Sequence, residues 1–240
     1  MAETSAWTEE GIYQRMVQTI RDHQLQPGTK LGEDRLASAF GVSRTRIRPV
    51  LARLAGEQVV TLTPNRGATV ARPSEQESRE VFQVRRLIEP TLVSAFMERA
   101  TAAQLQALEH CIAMEAEARA QGDSHQAIRL AGEFHLQIAR AAQHQTLGRI
   151  LGELVSRTSL ILMSYGQHSR TPSPQPGGCG CKDHQALLDA MRLGDRLLAM
   201  RLMQEHLSEV EAELRFAPPR GTAPDFLALF QTTYAPAAAD

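Results

Sequence analysis

Three histidines carry the spacing of a metal site: His135, His184 and His206. His184 lies about ten residues before the turn Gly194-Asp195 and His206 about twelve after it, so an antiparallel helix pair brings the two to one height. His135 belongs to an earlier helix whose Phe134, Ile138 and Ala142 mark an inward face, and it completes a cluster of three imidazoles. Neutral imidazoles suit a divalent metal ion such as Zn or Ni, or Fe. Two other readings compete. Three core histidines can simply be packed there, and three histidines plus water also form a hydrolytic centre, which makes a metal-dependent hydrolase the alternative function. No general base stands at a diagnostic spacing for that chemistry. A second grouping, Cys179, Cys181 and His184, has a C-x-C-x-x-H spacing that is a weak metal signature.

The second chemical feature is charge. Between residues 30 and 72, Lys30 and seven arginines face only Glu33, Asp34 and Glu57, a local excess of five positive charges on a chain whose formal net charge is −1. A basic segment on an acidic body suits a polyanion at that segment alone. Four of the arginines, Arg44, Arg46, Arg48 and Arg53, fall on one predicted helix of about 44–56 with Ser43 as its N-cap. At 100° per residue, Ile47, Val50, Leu51 and Leu54 form an inward stripe, the small residues Thr45, Pro49 and Ala52 face outward, and the arginines flank them. Small residues outward allow close approach to base edges, and flanking arginines reach guanines or phosphates. Pro49 is one turn in, so an irregular first turn is expected.

The elements that must hold these residues read in a definite order. Helical spacing over 7–24 (Ile12, Met16, Val17, Ile20) ends at Pro27-Gly28; Asp34–Phe40 is a short second helix; Gly41-Val42 is a turn; then comes the arginine helix. Val59–Thr63 and Ala68–Ala71 are extended runs around the turn Pro64-Asn65-Arg66-Gly67, a β-hairpin. Three helices and a hairpin within about 70 residues make a winged helix-turn-helix. A thin Gly-tipped wing with one arginine fits a minor groove. After Pro73-Ser74 only helical patterns follow, roughly over 75–99, 101–121, 124–142, 146–165, 183–192 and 195–215. The expected division is 1–73 for the winged domain, 74–216 for an all-helical bundle and 217–240 for a Pro/Ala-rich tail, with a Pro/Gly/Ser-rich loop over about 166–182. The fold class is therefore mainly α, with one small β element.

The run LASAFGVSRTRIRPVLARLAGEQVVTLTPNRGATV resembles the DNA-binding domain of the GntR family of transcriptional regulators. Leu36-Ala37, Val42-Ser43-Arg44-Thr45, Arg48, Leu51, Leu54 and the Asn65-Arg66-Gly67 tip carry it. This chain has Arg46 and Pro49 where the family usually has Pro and Glu. The resemblance implies operator contacts from Arg35, Ser43, Arg44, Thr45, Arg46, Arg48, Asn65, Arg66 and Gly67, to a palindromic double-stranded DNA site bound by a homodimer. The remainder is similar to the fatty-acid-regulator-like (FCD) branch, through Val84–Pro90, Glu133-Phe134-His135, His184 and His206. That branch implies a small effector, of the carboxylate class, and a metal held by an aspartate four residues before the first histidine plus the three imidazoles. Ala131 stands at that position, and Glu133 points to another side of the helix. Arg85 or its neighbour Arg86, and Arg157, with apolar neighbours along its helix, are candidates to pair with an anionic effector.

Bulk properties fit this picture. A hydrophobic content of 42% is enough for a packed core and excludes a disordered chain. The 3 cysteines form no disulfide framework, no signal-like segment opens the chain, and no apolar run approaches the roughly 18 residues of a membrane span, so a cytoplasmic protein is expected. No nucleophile triad, P-loop or GxGxxG pattern supports another enzyme class. A purely structural, self-assembling helical protein is the remaining rival.

Overall fold

The computed structural model describes residues 7–22, 24–64, 66–166 and 180–216. Among them, nine helices and three short strands run α1 Glu9–Arg21, β1 Lys30–Leu31, α2 Glu33–Phe40, α3 Arg44–Gly56, β2 Val60–Thr63, β3 Gly67–Val70, α4 Glu75–Arg99, α5 Ala102–Ala120, α6 Ser124–Ala141, α7 Gln145–Tyr165, α8 Gly180–Arg192 and α9 Arg196–Ala212. A winged helix-turn-helix precedes an all-helical bundle.

In the head, α1 turns Ile12, Met16, Val17 and Ile20 inward, and α3 turns Ile47, Val50, Leu51 and Leu54 against them. Gly41 ends α2 in the left-handed region (φ 63°), which permits the tight turn into α3; Val42 N–H closes it on the Ala37 carbonyl at 2.9 Å. Contrary to the expected irregular first turn, α3 is continuous through Pro49. The proline lacks the N–H that would reach Thr45, but four buried apolar side chains of α3 still pack on the core and hold the helix. The hairpin β2–β3 pairs Val60 with Val70 and Thr63 with Gly67. The sequence reading missed β1, which adds to β3 through Lys30↔Thr69; two residues are too short to show a period of two.

In the bundle, capping side chains start most of the helices. Ser74 with Glu77 and Thr101 with Gln104 form capping boxes, and Asp123 and Asp195 accept from backbone N–H groups at the starts of α6 and α9. Phe82, Phe96, Phe134, Leu92, Leu108 and Ile138 are fully buried between the helices. The head is keyed to the bundle by α7: Leu160 belongs to the head's core, and Arg21 of α1 donates to Ser156 Oγ at 2.9 Å and to the Gly152 carbonyl at 2.7 Å. Tyr165 OH adds a bond to the Pro73 carbonyl at 2.7 Å.

Candidate DNA interface and histidine centre

The helix α3 lies on the outside of the head. Ser43, Arg44, Thr45, Arg46, Arg48, Pro49 and Ala52 are all exposed, while the apolar stripe of the same helix is buried. Arg35 of α2 is exposed beside this surface, and Arg66 and Gly67 are exposed where the wing begins its return strand. Gly67 has φ +83°, a conformation that L side chains resist, so the tip needs glycine on backbone grounds alone. Asn65 lies outside the described residues. None of the four arginines of α3 hangs free. Arg44 pairs with Asp34 at 2.8 Å, Arg48 with Glu33 at 2.9 Å, and Arg53 with Glu10 at 2.6 Å. Arg46 donates to the Trp7 carbonyl at 3.1 Å. Arg53 also stacks over the Tyr13 ring at 3.4 Å, and the Tyr13 hydroxyl donates to Glu57.

The three histidines do converge. His135 comes from α6, His184 from α8 and His206 from α9, and all three are buried, with ligand-capable atoms within 4.8 Å of one another. Ring centroids lie 5.3 Å (135–184), 5.4 Å (135–206) and 4.6 Å (184–206) apart. Phe134 stacks on His184 at 4.2 Å and closes one side.

Each ring is held from behind by a carboxylate. His135 Nδ1 meets Glu89 at 2.6 Å, His184 Nδ1 meets Glu115 at 2.8 Å, and His206 Nδ1 meets Asp183 at 3.1 Å. With Nδ1–H donating to the carboxylate, each Nε2 keeps its lone pair, and the Nε2 of His184 is buried without a partner. Burial pushes the His135 imidazole down to about 3, against the pull of Glu89, and lowers His184 as well, helped by His206. Burial alone would raise the Glu89 carboxyl, but Arg85 and His135 hold it at about 2; Glu115 is likewise held at about 2 by His184 and Arg119 against its own desolvation. Neutral imidazoles with ionised partners are the donor set a metal cation takes without proton competition.

These carboxylates were missed by sequence reasoning. Asp183 is adjacent to His184, and Glu89 follows Arg85 by one turn, so a local signal existed for both; Glu115 carries none, because its pairing is tertiary. Of the predicted effector arginines, Arg85 is buried, bonded to Glu89 at 2.5 Å and to Thr158 Oγ1 at 3.3 Å, and its Nη2 is an unpartnered buried donor beside the cluster. Arg157 departs from expectation: it is half-buried, with Glu77 and Glu80 as its electrostatic neighbours near the start of α4, so it does not join Arg85. Its apolar helix neighbours point to the core, and the arginine occupies the other side of α7. Arg86 pairs with Glu211 instead. Glu133 turns away to Arg140, as its place on the helix predicts. Cys181 is near Glu115 and Arg119, one turn before His184; Cys179 lies outside the described residues.

Comparison with known proteins decides the family. The profile of the FCD domain matches residues 80–209, and that of "Bacterial regulatory proteins, gntR family" matches residues 8–70. The chain is a GntR-family regulator with an FCD domain. Among its relatives, the Uxu operon regulator of Haemophilus influenzae is 26% identical over 216 residues, covering 85% of this chain and 80% of that protein. The HTH-type transcriptional regulator LutR of Bacillus subtilis is 24% identical and covers 80% and 94%. The solved E. coli McbR/YncC shares the fold with a TM-score of 0.73 at 21% identity, covering 85% of this chain and 95% of that one. The GntR-family relatives are transcriptional regulators, not enzymes, so the hydrolase alternative falls. Among the described residues, no helix is long and apolar enough to cross a membrane.

Proposed function

We propose that this GntR regulator binds a palindromic operator as a homodimer and responds to a small carboxylate effector at a metal centre in its FCD domain. The observation that carries the reading is the pairing of an exposed arginine-flanked helix with a buried three-histidine centre, in a head and a bundle that meet at α7 and α6. Residues 1–73 form the DNA-binding head and 74–216 the sensing and pairing bundle. On the DNA side, α3 enters the major groove with Arg44, Thr45, Arg46 and Arg48 toward base edges and phosphates. Arg35 and Ser43 meet the backbone, and the wing with Asn65, Arg66 and Gly67 meets the minor groove.

On the sensing side, His135, His184 and His206 fit a divalent metal of the Zn or Ni class, since their ligand-capable atoms lie within 4.8 Å of one another, the Nε2 of His184 is buried without a partner, and each ring has a carboxylate behind it. When bound, the metal supplies a Lewis-acid position for an anionic oxygen. Ala131 would offer such a metal no ligand, an effector carboxylate would supply one, and the unpartnered Nη2 of Arg85 would donate to the effector's second oxygen. Val84 and Leu87 leave exposed apolar side chains on α4, a stripe that a second copy can cover. Effector binding alters α7 through Arg85–Thr158, and α7 holds the head through Arg21, so the spacing of two heads on one DNA face changes.

Linkage is the test. Zinc-loaded protein is titrated with a panel of small carboxylates, read in parallel as melting temperature and as affinity for a duplex selected from a randomised pool. A compound that raises the melting temperature must change duplex affinity. Stabilisation by several such compounds without any change in DNA binding rejects the effector reading.

A further inference from the structure

The arginines of α3 are held in the DNA-free protein by a fixed set of acceptors. Two of these, Glu33 and Asp34, lie in the first turn of α2. Glu33 takes Arg48 and Asp34 takes Arg44, so the two arginines on one flank of the reading helix are matched one to one by two carboxylates from the neighbouring helix. On the other flank Glu10 of α1 takes Arg53. These residues cannot serve the core: Arg44 and Arg48 are 60% and 66% exposed at the side chain. Exposed pairs of this kind stabilise a fold little. Their effect falls instead on whatever competes for the same guanidinium groups. Arg35 and Arg66, by contrast, make no ion pair among the described residues.

We propose that Glu33 and Asp34 are specificity-determining residues that mask Arg48 and Arg44, so that the reading helix releases its arginines only to a ligand offering guanine edges as well as phosphates. This rests on the DNA-binding reading of α3. On random duplex a phosphate merely replaces a carboxylate, one ion pair for another, and the displaced carboxylate is left close to the DNA's negative charge. On the operator, bidentate bonds to guanine O6 and N7 are added, and the exchange becomes favourable. The mask therefore penalises non-specific binding more than specific binding, which is how a discriminating interface is built with a repulsive element.

The experiment compares full-length wild type with Glu33→Gln/Asp34→Asn. The control is Glu98→Gln/Glu205→Gln, which removes the same charge from exposed bundle positions paired with Arg196 and Arg201. Each is titrated by anisotropy against the duplex selected from a randomised pool and against a shuffled duplex, over a range of salt. Unmasking raises affinity for the shuffled duplex by about tenfold, raises selected-duplex affinity less, and steepens the shuffled-duplex salt slope by about one to two counterions. The control leaves the ratio of the two affinities at the wild-type value. A ratio unchanged in Glu33→Gln/Asp34→Asn, or lowered equally in the control, overturns the masking while leaving the DNA reading intact. Wild-type protein that binds the two duplexes alike overturns both.

Discussion

Each imidazole of the histidine centre is oriented by its own carboxylate, and that pairing makes definite demands on single-residue variants. Zinc or nickel added to metal-free protein should bind at one ion per chain and raise the melting temperature. His135→Ala and His184→Ala should each abolish that rise, measured by calorimetry and elemental analysis. Glu115→Gln, which keeps the shape but removes the charge behind His184, should weaken metal affinity about 10- to 100-fold with the fold retained. The same residues give a pH dependence. The folded-state value of His135 lies below its unfolded one, so between about 6.5 and 3 the unfolded chain takes up a proton that the native site refuses. Metal-free stability should therefore fall as pH drops below about 6.5, by roughly 1 kcal/mol per pH unit for this group. The carboxylates at about 2 act lower: their contribution is present above about 4.5 and is lost as pH falls toward 2. Denaturant unfolding at pH 7.5 and 5.5 checks the sign; equal stabilities would show that His135 is protonated in the native state.

At the level of elements, α3 joins two requirements on opposite faces, and variants should separate them. Leu54→Ala removes a side chain with no exposure and should cost about 2–5 kcal/mol of stability. Arg48→Ala should leave stability nearly unchanged and weaken selected-duplex binding by about 1–3 kcal/mol. Arg66→Ala in the wing should weaken binding to selected and shuffled duplexes alike if it meets only phosphate. Much of this element's design was legible in advance. The Ile47, Val50, Leu51, Leu54 stripe gave its inner face, and the hairpin after it gave the wing. The helical pattern placed the start of α4 at about residue 75, and the structure shows the capping box of Ser74 with Glu77 that fixes it there. The start of α8 was placed three residues late, because Gly180-Cys181-Lys182 opens with a residue that rarely begins a helix. For the site, the Gly194 turn fixed the height of His184 against His206, a local fact. Glu115 meets His184 across 69 positions of chain, and Arg157 faces Glu77 rather than the cluster; both depend on how helices pack, which no spacing within one helix records.

For the whole molecule, the important contact is the one between head and bundle. Arg21 is half-buried at that junction, and its two bonds to α7 lie on the same helix as Thr158, which holds Arg85. A route from His135 through Glu89, Arg85 and α7 to α1 is therefore continuous in space. Arg21→Ala tests it: the metal-induced rise in melting temperature should persist, while the change in duplex affinity caused by a stabilising carboxylate should shrink toward zero. An undiminished change would show that coupling runs by another path.

Operator recognition by this regulator rests on α3 as a DNA-reading surface. Its most direct test is the affinity of full-length protein for a duplex selected from a randomised pool, against a shuffled duplex of the same composition, at moderate salt. The expected ratio is about a thousandfold or more, reduced by Arg48→Ala. Equal affinity for the two duplexes would contradict it.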